Sequence, residues 1–128
     1  VSGHLTHEPA WRRIEQWINA AHVRAALRHA RHGLMGHVYP GMLDVSTDLT
    51  LLPVTFGSHV EVLEFDDLRV RVEKVTEAET RARMDLAREI FTLDDTVVEE
   101  DFAWGAKVSV GLDRLVDDFE LDSLAYYH

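Results

Sequence analysis

The sequence predicts an α/β fold, an open parallel sheet flanked by helices, and three observations carry that prediction. Short apolar runs near residues 34–38, 59–65 and 124–127 alternate with longer stretches of helical periodicity. The connections between those runs hold helix signals and are far too long for hairpins, so neighbouring strands should run parallel. No repeat, low-complexity tract or Pro/Gly-rich linker divides the 128 residues, a length that suits one domain.

The elements follow in order. Thr6 reads as an N-cap, with Glu8 and Pro9 in the first helical turn. Trp11, Ile14, Ile18, Ala21 and Ala25 recur at spacings of three and four, one apolar stripe on a helix. Arg24, Arg28, Arg31, His22, His29 and His32 crowd its far half, where positive charge suits the helix dipole, and Gly33 is the expected stop. Residues 34–38 lack alternation and read as a strand covered on both faces. Tyr39, Pro40 and Gly41 break it. Residues 42–56 predict one or two short helices, since Pro53 is tolerated only near a helix start, and Gly57 predicts their stop.

Residues 59–65 are the clearest strand. Leu68, Val70 and Val72 alternate with Arg69 and Arg71, a strand pattern if periodicity alone is used. Thr76 and Glu79 form a capping box ahead of a helix with Ala78, Ala82, Leu86 and Ile90 on one face. Thr96 and Glu99 make a second box. The helix behind it runs to about Phe119 on Phe102, Ala106, Leu112, Val116 and Phe119. Gly105 and Gly111 each weaken that helix by ~1 kcal/mol relative to Ala, acceptable where another backbone packs close. Residues 124–127 predict a last strand with apolar contacts on both faces.

Composition narrows the function. The absence of cysteine excludes a disulfide scaffold, a thiolate zinc site and a cysteine nucleophile. No apolar run approaches the ~18 residues of a membrane span, so no membrane partner is expected. Net charge is −10, and it is uneven. Residues 1–40 carry five Arg against two Glu, whereas residues 41–128 carry eight Lys or Arg against 21 Asp or Glu. That balance opposes nucleic-acid binding, which needs a cationic surface to displace counterions.

Candidate chemistry is sparse. His29 and His32 stand three apart on the expected helix, a spacing that can hold a metal. No carboxylate or third histidine completes the set, so a solvated basic face is the better reading. The acid groups Asp66-Asp67, Asp94-Asp95, Glu99-Glu100-Asp101 and Asp117-Asp118 match no calcium loop. Three of the four lie where helices begin, which negative charge stabilises. Ser46, Ser58 and Ser123 lack the G-x-S-x-G setting of a strained nucleophile. Gly33, Gly36 and Gly41 surround a strand end that can present N–H groups to a ligand, but they match neither G-x-G-x-x-G nor a P-loop.

That strand-end loop carries a resemblance. Residues 33–48 (GLMGHVYPGMLDVSTD), 56–64 (FGSHVEVLE), 104–115 (WGAKVSVGLDRL) and 121–127 (LDSLAYY), with Gly3-His4-Leu5 and the Trp-bearing helix, resemble in order the central domain of the L-arabinose isomerases. The resemblance spans nearly the whole chain. It implies a Rossmann- or flavodoxin-like central domain over residues 1–128, a fragment of a larger protein whose N- and C-terminal domains are absent. It further implies a cytoplasmic, homo-oligomeric aldose–ketose isomerase that uses Mn2+ and a small, pentose-like sugar. Such enzymes carry their metal-binding and proton-transferring Glu and His residues downstream of this segment, so no catalytic residue maps here. Gly41 and Met42 are the implied substrate-binding residues, as a pocket wall. The resemblance also favours a helix over residues 67–75, and Asp66 can cap it. A non-catalytic α/β scaffold, or a sugar- or phosphate-binding module, is the alternative function.

Overall fold

The computed structural model describes residues 3–37, 41 and 48–126. In chain order they form α1 (Glu8–His29), β1 (Arg31–Met35), α2 (Leu51–Phe56), β2 (His59–Leu63), α3 (Phe65–Glu73), α4 (Glu77–Ile90), α5 (Glu99–Asp118) and β3 (Ser123–Tyr126). The three strands make one sheet in the order β2-β1-β3. Both pairs are parallel, with Gly33 opposite Glu61 and Leu124, and Met35 opposite Leu63 and Tyr126. The connection from β2 to β3 carries three helices and takes the chain past β1 to the other edge, since joining parallel strands requires a long crossover.

The core lies on one face of this sheet. Met35, Leu63, Leu115 and Leu121 are buried together, with Leu68 of α3 and Leu112 and Val116 of α5 packed on them. Gly33 sits beneath this cluster, where a Cβ would come within 2.7 Å of Leu121 Cδ1 and 2.9 Å of Leu124 Cδ1. Along β1 burial alternates, with Gly33 and Met35 buried and His32 and Leu34 partly open. The expectation of strands covered on both faces is therefore corrected. Val62 is exposed on the second face, and in β3 only Leu124 is even partly buried, because β3 is an edge strand.

Several boundaries also move. The first helix begins at Glu8 with His7, not Thr6, at the cap position, and Trp11 Nε1 donates to the Leu5 carbonyl at 2.7 Å across that turn. It stops at His29, four residues before Gly33. There the sheet outcompetes the helix. Ala30 turns extended and its carbonyl accepts from His59 N–H at 2.8 Å, while Arg31 N–H donates to Asp122 Oδ2 at 2.8 Å. Gly33 is thus a strand residue. Gly57 does stop α2, in the left-handed conformation at φ 82° that glycine adopts without strain.

Residues 65–73 are helical, as the resemblance implied and the alternation did not. In the helix Leu68 and Val72 lie four apart on the side facing α5, so an i, i+2 pattern over five residues carried no strand information. The cap is Glu64 rather than Asp66, and Asp67 Oδ2 accepts from the Glu64 N–H at 2.9 Å. The Thr76–Glu79 capping box forms in both directions, at 3.3 and 2.8 Å. The Thr96–Glu99 box does not form. Asp94 Oδ1 takes the Thr96 N–H and hydroxyl, and Glu99 pairs with Arg88 at 2.7 Å instead. In α4 the buried residue is Met84, while Ala78, Ala82, Leu86 and Ile90 are exposed. Periodicity found an apolar stripe on α4, but α5 packs against its other side.

Candidate ligand site at the carboxyl edge of the sheet

The three strands run parallel, so their carboxyl ends open on one edge. β1 ends at Met35, and Gly36 follows at φ 84°, its N–H donating to the Leu63 carbonyl at 2.9 Å. A Cβ at Gly36 would stand 3.0 Å from Phe65 Cε2, so this glycine lets the Phe65 ring lie against the backbone of the central strand. Phe65 opens α3 half exposed, and Tyr126 at the end of β3 is 61% exposed. His37 is exposed on the segment that leaves β1. The edge therefore presents two aromatic rings and an imidazole around a glycine turn. Such a surface can wall a small polar ligand, but among the described residues it brings no acid and base together within ~3 Å of one point, as proton transfer demands.

Gly41, one of the two implied substrate-binding residues, is exposed in a turn beyond this edge. Met42, the other, lies outside the described residues. The structure does not bring His29 and His32 onto one helix face. His29 ends α1, whereas His32 belongs to β1 and its Nδ1 is 2.7 Å from Ser123 Oγ. Ser58 is buried ahead of β2, and its hydroxyl meets no partner.

Each acidic group has a member held in a structural contact. Asp66 is held below the usual carboxylate range by its hydrogen bond and charge contact with Arg69, and Asp94 by the Thr96 hydroxyl and N–H. Asp118, at the unfavourable end of α5, is offset by Arg71 at 2.9 Å, whose guanidinium also lies 5.0 Å from the Phe119 ring. Among the described residues no group of three His, Asp or Glu could hold a metal ion.

Sequence reasoning missed one polar cluster, at the opposite, amino edge of the sheet. Arg31 donates from Nε to the Phe119 carbonyl at 2.9 Å and from Nη2 to Glu61 Oε2 at 3.1 Å. His59 Nε2 lies 2.9 Å from the same carboxylate oxygen. These groups tie β1 and β2 to the end of α5. Arg31 and its partners lie 30 to 88 positions apart in the chain and gave no local signal of it. Two grooves lie on the helices, one of about 740 Å3 between α1 and α2 and one of about 520 Å3 between α4 and α5. Among the described residues no helix is long and apolar enough to cross a membrane. Compared with known proteins, the chain matches no family model and no curated sequence.

Proposed function

We propose that this chain is the central α/β segment of a metal-dependent aldose–ketose isomerase of the L-arabinose isomerase type. In that role it supplies scaffold and one wall of the sugar pocket, and no catalytic group. The observation that supports the reading is the order β2-β1-β3, with the Gly36–Gly41 segment leaving the central strand at its carboxyl end. Doubly wound, flavodoxin-like sheets open with the same order, and their ligands lie outside the carboxyl ends where the strand order reverses, which in this reading is between β1 and β3. Phe65 and Tyr126 flank that point with apolar surface, and Gly41 lets backbone approach a ligand closely. Met42, apolar and flexible, would line the wall beside it.

Moving a proton between adjacent sugar carbons needs a base in hydrogen-bond reach and an electrophile for the enediol-like charge. The described residues do not fit a manganese site, so no step of the reaction is routed through them. Base, metal and ligands belong, in this reading, to other parts of a cytoplasmic, homo-oligomeric parent.

The test is the reading frame that encodes this chain. Its full product should convert L-arabinose to the ketose, lose turnover with a chelator and regain it with manganese. A full product that binds no pentose and turns none over would refute the proposal. In an active product Met42→Ala should raise KM or shift sugar preference while the melting temperature stays level. A core plug at that position would instead lose ~2–5 kcal/mol of stability and leave the sugar kinetics unchanged.

A further inference from the structure

Eight of the chain's eleven arginines are ion-paired. The other three, Arg13, Arg24 and Arg28, hold no carboxylate among the described residues, in a chain with 23 Asp and Glu. All three share one side of α1, and the acids of that helix, Glu8 and Glu15, fall on the opposite side. Arg24 and Arg28, one turn apart, line the groove of about 740 Å3 between α1 and α2. None of the described residues that line it is acidic. Its apolar walls are Val23 and Leu27 of α1 with Val54 and Phe56 of α2, and Val23, Val54 and Phe56 are 59%, 83% and 45% exposed. The Arg28 stem rests on Gly57, where a Cβ would stand 3.1 Å from Arg28 Cγ, so the missing side chain leaves room for that stem at the groove.

Two like charges one helical turn apart repel, and no carboxylate among the described residues offsets them. Positive charge suits the last turn of α1, but that accounts for Arg28 and not for Arg24. An anion in the groove would answer both. We propose that the groove binds a small organic phosphate monoester, its head between Arg24 and Arg28 and its apolar body on Val23, Leu27, Val54 and Phe56. A carboxylate has two oxygens, which one guanidinium fork fills, whereas a phosphate offers three to two forks. The volume agrees, since small-molecule sites run to roughly 300–1,000 Å3. From Ala20 to Arg28 the groove is only about 12 Å long at about 1.5 Å per residue, short of the ~800 Å2 per partner that a stable protein interface covers. The net charge of −10 opposes a nucleic acid. The groove lies beside the amino ends of β1 and β2, the edge opposite the proposed sugar wall, so the inference stands apart from the isomerase reading.

The experiment is isothermal titration calorimetry of this chain with 1-naphthyl phosphate, and with inorganic phosphate and 1-naphthol as the two halves of that probe. One site per chain is expected, at least about tenfold tighter for the whole probe than for either half. Arg24→Gln and Arg28→Gln should each weaken binding at least about tenfold, with circular dichroism unchanged. Val54→Asp, which sets a carboxylate on an exposed part of the groove wall, should weaken it too. Arg13→Gln is the control. Arg13 is unpaired on the same side of α1 but lies outside the groove, so at physiological salt the affinity should stay within about twofold. Phosphatidic acid presents the same head from a membrane, so the chain is also spun with vesicles of phosphatidic acid and phosphatidylcholine. No capture is expected, because a bilayer keeps the lipid tail out of the groove. Failure of millimolar 1-naphthyl phosphate to bind overturns the proposal. So does inorganic phosphate that binds as tightly as the whole probe, an Arg13→Gln loss equal to that of Arg24→Gln, or capture by the vesicles.

Discussion

Two glycines six residues apart in α5 should respond to alanine with opposite signs. Gly105 is exposed and an added Cβ would meet nothing within 4 Å. Gly105→Ala therefore gains only the lost helix penalty and the smaller unfolded-state entropy, about 0.5–1 kcal/mol. At Gly111 the added Cβ would stand 2.5 Å from Val72 Cγ2 and 3.3 Å from both Cα and N of Val72. Val72 is β-branched and helical, so its χ1 is held to one well and the methyl cannot simply rotate away. The backbone atoms yield only if α3 and α5 move apart. Overpacking of this kind costs about 1–3 kcal/mol, against about 1 kcal/mol of regained helix propensity, so Gly111→Ala should lose up to about 2 kcal/mol net. Urea titrations followed by circular dichroism would separate the two variants by about 2 kcal/mol. Val72→Ala removes the nearest clash, so the Val72→Ala/Gly111→Ala pair should be more stable than the sum of its parts by at least about 0.5 kcal/mol. Equal stabilisation by both single alanines, or strict additivity of that pair, would show that α3 and α5 do not approach closely at Gly111.

Other substitutions probe other joints. Arg31→Ala strips the Phe119 carbonyl and Glu61 of a shared donor, and both groups are only partly open to water. A loss of about 1–2 kcal/mol in the same titration is expected, and an unchanged midpoint would mean that water replaces the guanidinium without cost. Glu79 is lowered from 4.5 to about 2 by the Thr76 hydroxyl and N–H, with Arg114 adding to it. Its contribution is therefore fully present above pH 4.5 and fades as pH falls towards 2. The gap in melting temperature between wild type and Glu79→Gln should follow that course in an acid titration. A gap that is flat across the window, or that widens towards acid, would contradict it.

Local chemistry was readable in the chain wherever one element is complete within itself. The Thr76–Glu79 box, the left-handed stop at Gly57, the strand at 59–63 and the acids that begin α3 and α5 all depend on residues within a few positions of each other. For that reason α/β class and parallel pairing could be read from spacing and connection length. The candidate site beyond β1 was picked out on the same terms, from a glycine-rich break after an apolar run. What required the tertiary structure was every competition between distant groups. Asp122 and His59 take over the backbone at Arg31 and Ala30, so α1 ends before its helix signals do. Phe65, from another strand end, settles against Gly36, and Arg31 collects partners from β2 and the end of α5. An apolar stripe says which side of a helix can be buried, but only placement decides whether anything reaches it. The stripes of α1 and α4 stay open, while the side of α5 that carries Gly111 touches the backbone of α3. In the sequence Gly105 and Gly111 are alike, and the 3.3 Å approach of Val72 to one of them makes the difference.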